Sequence, residues 1–567
     1  RLPFGGDSDW REKFVDKTIT LLLSRLEIEA RFYTDYMRKK RSGGDSEIDR
    51  DNRLLDYLLR NSYLPSFAFP IDVCNFSILE WDRSRSGIKE KYSPSASVSQ
   101  ALAMYVPGKE LHINKEKYQS AGIYVPFPDS MENRFAGEVD KVEYHVMVCD
   151  ECNSLSTFDK THEIYSQVDC ENCGAKDRHT FPMYKPKAFA PLSNGYKSIE
   201  VRDKIDQVNQ RKSSVLLPLT TMMDPADMTE CLHNSKIIFK REEELFQLNT
   251  GPKSDDNGLE TDQDAGWEIC GQCGTCRDVL KNKKSQTHKR VYPRISFGAN
   301  RFNSVSCDAN DWQKLILGYN FQTDMLLLQT ELNPEIINFS RIYQKDSPVE
   351  NAALSAKEGL LAAIFRGRIH NLDMDDGEIN GHYRILHDVD GDGKTNLEFY
   401  LFDTAPGGAG YSEQVMHSIE DVIDVAIDLM EECNCETSCH YCLRNYMNKF
   451  EHTKLNRHWG ASLLRYLRDG DIPSMTSNFA VSLLETILKP NLESEEGVAS
   501  VKVKVNEQDK SLIDVTINTE RGESKTFHTC VRNTLERGNS LTGILDIEDY
   551  TIKNDIPSII RRFIDAF

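Results

Sequence analysis

The sequence predicts a multidomain α+β protein in which β-rich zinc-ribbon modules accompany an α/β domain that holds a compact four-cysteine zinc cluster. The length of 567 residues corresponds to roughly three to five domains at about 100 to 200 residues each. Long stretches consist of short apolar runs broken by proline and glycine, which is typical of strands and turns. Eleven of the fifteen cysteines fall into three clusters, and clustered thiols outside a secretory context usually bind metal.

Composition and charge exclude two classes of protein. The chain has 39% hydrophobic residues and a mean hydropathy of -0.52, and no apolar run approaches the roughly 18 to 20 residues that cross a bilayer. An integral membrane protein is therefore excluded. The net charge of -20 excludes a histone-like polycation, so any DNA contact has to come from local basic patches.

The beginning of the chain bears on localisation. It has neither the basic region nor the apolar run of a secretory signal, which, together with the thiol clusters, predicts a cytoplasmic protein. The first residue is Arg1 and not methionine, so we expect further residues to precede it.

Two segments come before the first cysteine cluster. Residues 1–75 are predicted to be helical, because apolar residues recur at helical spacing between 11 and 40 and again over 53–60. Residues 76–145 are predicted to form a β-rich module, because their apolar runs are short and are separated by turn residues.

The first cluster predicts a zinc ribbon over residues 146–200. Two C-x-x-C pairs lie seventeen residues apart, and such a double pair is typical of structural zinc because each tight turn directs two thiolates at one ion. Four protein ligands leave no open coordination position, so the site is predicted to be structural. Its ligands are Cys149, Cys152, Cys170 and Cys173.

The second cluster lies in residues 201–335, which are predicted to be another β-rich module. Its C-x-x-C pair has three candidates for the remaining two ligands, of which Cys276 lies very near the pair in sequence and is therefore disfavoured. The favoured set is Cys270, Cys273, His288 and Cys307. Residues 249–266 are predicted to be a mobile acidic loop, and 315–319 and 321–328 are predicted to be strands.

The third cluster belongs to an α/β domain over residues 336–475. It has four thiols within ten residues, between a predicted helix over 422–430 and another over 460–467, so that one ion would tie the two helices together. The predicted zinc ligands are Cys433, Cys435, Cys439 and Cys442. Because four thiolates also suit an iron–sulfur cluster, that alternative stays open. Residues 476–567 are predicted to be a small α/β domain.

Other motifs do not identify a catalytic site. The acids at 388–392 lack the spacing of a nucleotide-binding or calcium loop and predict a hairpin turn, although they leave a magnesium-dependent nuclease as an alternative. The glycine-rich stretch 402–411 suits either an anion at a helix N-terminus or tight strand-to-helix packing. No ATPase or nuclease motif is found, and we assign no catalytic residue.

Several of these segments together resemble a known family. They are residues 64–70, 105–108, the Cys270 and Cys273 pair, 317–324, 403–411, and 433–448 with Arg457. In this order they are similar to the zinc-binding C-terminal region, of MZB type, of bacterial superfamily 2 helicases. The resemblance covers about residues 55–470. In that family the region follows two RecA-like ATPase domains or is a separate subunit, including in the anti-phage systems DISARM, as its DrmB subunit, and Druantia.

The resemblance implies a function. The chain is expected to bind about three zinc ions and to give architecture and DNA contacts to a helicase or translocase motor, in cis or in trans, with ATP bound only on that motor. Phage defence is the expected process, with other defence subunits as possible partners, and a protein-interaction scaffold is the alternative. Residues 281–290 and 457–459 are the predicted DNA contacts, although a solvated surface would explain either segment alone.

Overall fold

A computed structural model gives the fold. It describes residues 73–567 except 83–86, 126–138, 140–141, 194–197, 201–212, 220–227, 233–234, 253–265, 281–286, 296–301, 340–346, 367–368, 370–371, 373, 388–393, 450, 474 and 539–542. The helices predicted within residues 1–75 lie outside this part of the chain.

The elements are numbered in chain order. The strands are β1 (Val73–Phe76), β2 (Ile78–Asp82), β3 (Gly87–Tyr92), β4 (Ser95–Ser97), β5 (Glu110–Ile113), β6 (Glu116–Gln119), β7 (Gly122–Ile123), β8 (Tyr144–Val148), β9 (Leu155–Asp159), β10 (Gln167–Val168), β11 (Arg178–His179), β12 (Phe181–Tyr184), β13 (Ala188–Ala190), β14 (Ser214–Leu216), β15 (Thr229–Leu232), β16 (Ser235–Asn249), β17 (Trp267–Cys270), β18 (His288–Ile295), β19 (Phe302–Cys307), β20 (Trp312–Leu332), β21 (Ile379–His387), β22 (Thr395–Asp403), β23 (Val498–Val505), β24 (Ile513–Thr519), β25 (Ser524–Arg532) and β26 (Ile544–Glu548). The helices are α1 (Val98–Met104), α2 (Pro348–Arg366), α3 (Tyr411–His417), α4 (Ile419–Glu431), α5 (Arg457–Asp469), α6 (Ser477–Leu483), α7 (Lys489–Glu493), α8 (Asp549–Asn554) and α9 (Ile556–Ala566).

The β-rich module that begins at β1 packs on strands from later in the chain. Strands β4, β1, β13 and β7 form one small sheet, while β2–β3 and β5–β6 are hairpins. Phe76, Leu102 and Tyr118 of the module are buried in one core with Trp267 of β17 and Leu315 of β20. The module is thus stabilised by apolar contacts distant in sequence.

The largest sheet of the described residues has ten strands, and β20 is its longest strand. The order is β14-β16-β20-β12-β8-β9, with β15 beside β16, β17 and β22 beside β20, and β21 beside β22. The sequence predicts two separate strands, over 315–319 and 321–328. This prediction is wrong, because both segments belong to β20 and Asn320 continues the strand between them. Its backbone pairs with Phe246 of β16, and its side chain donates to Glu244.

The same sheet crosses two of the predicted domain borders. Strand β12 comes from segment 146–200, β16 and β20 come from 201–335, and β22 comes from 336–475. The twenty-one residues of β20 are long enough to pair with β12 and β17 near one end and with β22 near the other. The six-part division therefore remains a prediction, and in the structure three of its parts share one sheet.

The described ends of segment 249–266, which is predicted to be a mobile acidic loop, are held by hydrogen bonds. Asn249 is the last residue of β16 and is buried, with its side chain donating to the carbonyl of Leu102 at 3.0 Å. The N–H of Gly266 donates to the carbonyl of Thr250 at 2.7 Å. These hydrogen bonds close the two ends of the segment on each other, and residues 253–265 lie outside the description.

Helices α2, α4 and α5 pack into one core with β21 and β22. The approach of the helices is close at Gly460, where a Cβ atom would lie 2.9 Å from both the Cβ of Ser355 and the sulfur of Met430. The predicted helices over 422–430 and 460–467 lie within α4 and α5. Strands β21 and β22 pair antiparallel from Ile379 to His387, as the predicted hairpin requires, although residues 388–393 themselves are not described.

The last part of the chain has its own core. Strands β23 to β26 form a four-stranded sheet. Leu484, in the π-helical turn Leu484–Leu488 between α6 and α7, and Ile559 and Phe563 of α9 are buried in one core with residues of this sheet. Separate cores and sheets confirm the predicted α+β, multidomain class. None of the described helices is long and apolar enough to cross a bilayer.

Candidate metal centres

The first four cysteines meet at the tips of two similar turns. Cys149 follows β8, and the N–H of Asn153 donates to its carbonyl at 2.9 Å, while the N–H of Gly174 donates to the carbonyl of Cys170 at the same distance. Asn153 and Gly174 both have positive φ angles, of 55° and 74°, which Asn and Gly tolerate best. Each turn thus directs its two thiols inward, toward the facing pair.

The sulfur positions fit one ion. The Sγ atoms of Cys149 and Cys173 lie 3.6 Å apart, as do those of Cys152 and Cys170, and all four lie within 4.8 Å of one another. Hydrogen bonds from the other three thiols hold the pKa of Cys170 well below its ordinary value. A thiolate is the form that binds metal.

The second group forms where a turn meets a hairpin. Cys270 ends β17, and the turn after it is closed by the N–H of Gly274 donating to the carbonyl of Cys270 at 2.8 Å. His288 and Cys307 are paired opposite each other on β18 and β19, so this hairpin places one nitrogen and one sulfur side by side. All four side chains, Cys273 included, are buried.

The contacts within this group are short. The Sγ atoms of Cys270 and Cys307 are 3.9 Å apart, and Cys273 Sγ is 3.2 Å from His288 Nε2. Burial lowers the pKa of His288, but the hydrogen bonds and charges of Cys270 and Cys307 raise it to about 9. Hydrogen bonds from Cys270 and Cys273 hold the pKa of Cys307 well below its ordinary value, although burial of the thiol opposes them.

Cys276 lies outside the second group. It is fully buried, its sulfur lies 3.7 Å from a carboxylate oxygen of Asp278, and burial raises its pKa well above the ordinary value. It packs in the core of the N-terminal β-rich module, beside Phe76 and Ile123. The structure thus brings together the four residues that the sequence favours and directs the fifth candidate elsewhere.

The third group fills the connection between α4 and α5. Cys433 Sγ lies 3.5 Å from the sulfurs of both Cys435 and Cys439, and Cys442 Sγ lies 3.7 Å from Cys435 and 3.8 Å from Cys439. Burial raises the pKa of Cys439, but the N–H of Tyr441 and the neighbouring thiols lower it to about 7.

The distances between the sulfur atoms distinguish between a disulfide, a single zinc ion and an iron–sulfur cluster. A disulfide would need about 2.05 Å, and the cysteines are free. A tetrahedron with Zn–S bonds of about 2.3 Å has edges of about 3.8 Å, close to the observed 3.5 to 3.9 Å. In a [4Fe–4S] cluster each thiolate binds a different iron, and in a [2Fe–2S] cluster the two pairs of thiolates bind different irons, so some of the sulfurs lie further apart than the 4.8 Å within which all four lie here. The geometry therefore favours a single ion at each centre.

Two arginines support the third group, and the sequence does not reveal their role. Arg457 donates from Nε to the carbonyl of Cys435 at 2.8 Å and from Nη1 to that of Met430 at 2.7 Å. Arg366, in the last turn of α2, donates to the carbonyls of His440 and Cys442. These guanidinium groups fix the cysteine loop to the ends of two helices, and no local spacing indicates such long-range contacts.

A buried polar network continues this support. Glu358 of α2 is ion-paired with Lys357 and accepts hydrogen bonds from the amides of Asn445 and Asn448. The Asn448 amide also donates to the carbonyl of Leu443 at 2.8 Å. Buried polar groups with complete partners define one conformation, so the loop after Cys442 is held rigidly.

The predicted DNA contact at 457–459 is wrong. Arg457 and Trp459 are buried, the indole N–H of Trp459 donates to Asp549 at 2.8 Å, and His458 Nε2 lies 3.1 Å from the carbonyl of Glu436. These groups hold other parts of the chain and are not presented to DNA.

In the basic run 281–290, residues 281–286 are not described, and Arg290 is buried with its Nε donating to the carbonyl of Ser306.

The glycine-rich stretch 402–411 serves packing. The carboxylate of Asp403 accepts hydrogen bonds from the N–H groups of Ala409, Tyr411 and Ser412 at 2.6, 3.1 and 2.7 Å. The anion at the start of α3 is therefore a side chain of the protein itself.

Comparisons with known proteins agree with this geometry. A family model described as MZB, the MrfA Zn-binding domain, matches residues 361–443, which include all four cysteines of the third group. The chain is 26% identical over 487 residues to "Druantia protein DruE" of Escherichia coli (strain UMEA 4076-1), covering 83% of this chain and 25% of that protein. The chain thus spans about a quarter of the length of this relative.

Two solved structures are also similar. They are "Crystal Structure of DUF1998 helicase MrfA bound to DNA", at 11% identity and a TM-score of 0.28, and "Crystal Structure of DUF1998 helicase MrfA", at 9% and 0.22. They cover 69% and 67% of this chain and 33% of each solved chain. Scores this low do not establish a shared overall fold, so the relationship rests on the family match. The predicted resemblance to the MZB-type zinc-binding region is confirmed at residues 361–443, where the third cysteine group lies.

Proposed function

We propose that this chain is the zinc-binding part of a DNA helicase or translocase that acts in bacterial anti-phage defence in the cytoplasm. The observation that carries the proposal is the match of residues 361–443 to the MrfA Zn-binding domain on a complete four-thiolate centre. The similarity to a Druantia protein supports the defence role. The ATPase motor would lie outside these residues, in the same polypeptide or in a partner.

The three centres would each hold one zinc ion and serve architecture. Each offers four protein ligands, which leaves no coordination position for water or substrate. The proposed ligands are Cys149, Cys152, Cys170 and Cys173 in the first centre, Cys270, Cys273, His288 and Cys307 in the second, and Cys433, Cys435, Cys439 and Cys442 in the third. The ions would fix short β-turns and one helix connection that have few apolar contacts of their own.

The test combines metal analysis with DNA binding by the purified chain. We expect zinc close to three per chain and binding to labelled DNA that weakens steeply as salt rises, because phosphate contacts release counterions. Zinc-loaded protein that binds no DNA at low salt would contradict the proposal and favour a protein-interaction scaffold, which the net charge of -20 also suits. Magnesium-dependent cleavage of the DNA would support the nuclease alternative instead.

A further inference from the structure

The loop that contains the last two cysteines of the third group exposes three large apolar side chains. The exposed fractions are 88% for Tyr441, 78% for Tyr446 and 76% for Met447, the highest values among the large hydrophobic residues of the described chain. Side chains this exposed bury almost no apolar surface, so they contribute little to the stability of the fold. Three of them within seven residues indicate a binding surface.

The backbone beneath these side chains is fixed. Besides the contacts from Arg366, the N–H of Asn445 donates to Asn448 Oδ1 and the N–H of Asn448 donates to Asn445 Oδ1, both at 2.9 Å. The rings of His440 and His452 lie 5.8 Å apart, and His452 Nε2 lies 3.0 Å from Asn448 Oδ1. These contacts place the segments that contain Tyr441 and Tyr446 next to each other. A rigid platform loses little conformational entropy when a ligand stacks on it.

The charge of this loop differs from that of the whole protein. In a chain of net charge -20, residues 438–449 contain Arg444 and Lys449 and no carboxylate. The ammonium group of Lys449 lies 4.6 Å from the centroid of the Tyr446 ring. A zinc ion with four thiolates has a formal charge of -2, and the positive charges of Arg366 and Arg457, which donate to the carbonyls of His440 and Cys435, offset it. A cation beside exposed aromatic rings is complementary to a polyanion with stacking bases.

We propose that Tyr441 and Tyr446 form a stacking surface for single-stranded DNA, with Lys449 contacting its phosphates. Bases within a duplex are already stacked on one another, whereas a single strand offers free π-faces to a tyrosine ring. The surface is sequence-tolerant because it uses no hydrogen bonds to base edges. This inference rests on the proposed function, since it assumes that the chain meets DNA.

The experiment measures the affinity of the full chain for labelled oligothymidine and for a labelled duplex at two salt concentrations. Tyr441→Ala and Tyr446→Ala are each expected to weaken oligothymidine binding about 5- to 150-fold, without changing duplex binding or the salt dependence. Tyr441→Phe and Tyr446→Phe keep the ring and should keep the affinity. Lys449→Ala should instead reduce the salt dependence, by a slope of about 0.7 for one phosphate.

Controls separate loss of the surface from loss of the fold. Because both tyrosines are exposed, the alanine variants should keep the zinc content and thermal midpoint of the parent, and Phe567→Ala, an exposed aromatic of the last domain, should bind oligothymidine normally. If the parent binds DNA but the double alanine variant binds oligothymidine equally well, this inference is overturned and the proposed function stands. If the parent binds no DNA, the inference and the proposed function both fail. If the double alanine variant loses only binding to a protein or to RNA and keeps its binding to oligothymidine, the inference is also overturned.

Discussion

The side chain of Asn172 joins the zinc ribbon to the β21–β22 hairpin. Its Oδ1 accepts a hydrogen bond from the N–H of His387 at 2.8 Å, and its Nδ2 donates to the carbonyl of Ile385 at 2.8 Å. Asn172 lies between Cys170 and Cys173 in the second ribbon turn and is buried. One amide thus connects the first metal centre to a strand more than two hundred residues away.

Removal of this amide should destabilise the protein. Asn172→Ala leaves the buried carbonyl of Ile385 and the partly buried N–H of His387 without this partner, and a buried group left unpaired costs about 1 to 3 kcal/mol. We expect a lower thermal midpoint in calorimetry with unchanged zinc content. Glu171→Ala, at the exposed neighbouring position of the same turn, is the matched control and should leave the midpoint unchanged. Equal midpoints for the two variants would show that the amide contributes nothing.

Metal content should distinguish Cys276 from its neighbour Cys273. Cys273→Ala removes a proposed ligand and should lower the zinc content from about three to about two ions per chain, given the three ligand groups. Cys276→Ala should keep all three, because its sulfur faces Asp278 in the apolar core. Elemental analysis of both purified variants is the measurement. Zinc loss from the Cys276 variant would show that the second ligand set is wrongly assigned.

Arg457 should control how tightly the third centre holds its ion. Arg457→Ala removes two charge-assisted hydrogen bonds to loop and helix carbonyls, worth about 1.5 to 3 kcal/mol each, so we expect zinc release to a chelator at least roughly tenfold faster. Arg465→Ala is the control on the same helix, since its ion pair with Glu431 lies at the surface and contributes little. A release rate equal to that of the parent would contradict a supporting role for Arg457.

The indole of Trp459 should stabilise the junction between α5 and the last domain. Trp459→Phe keeps most of the packing but removes the indole N–H that donates to the buried carboxylate of Asp549. Of the two hydrogen bonds observed to this carboxylate, only the one from the N–H of Thr534 then remains. A lost bond to a buried charge costs about 1.5 to 3 kcal/mol. We expect faster limited proteolysis between α5 and α6, whereas Arg561→Ala, exposed on the same domain, should behave like the parent. Unchanged cleavage in the tryptophan variant would contradict this role.

The three groups of candidate metal ligands are predictable from sequence because their chemistry is local. A C-x-x-C turn directs both thiols to one side whatever surrounds it, and all three predicted ligand sets come together in the structure. Helices α4 and α5 are predictable as well, since their apolar residues recur at helical spacing.

Tertiary structure decided what depends on distant partners. Asn320 does not end β20 because β16 pairs across it, and Arg457 and Trp459 are buried because carbonyls of the cysteine loop and a carboxylate of the last domain meet them. Tyr441 and Tyr446 are exposed because the tertiary structure packs other parts of the chain beneath the cysteine loop and leaves these two side chains uncovered. Residue type and spacing determined the candidate ligand groups, because a turn of a few residues is enough to bring the two side chains of a pair together. Burial decided which charged and aromatic side chains are left to meet a partner, because burial is a property of the whole packed chain.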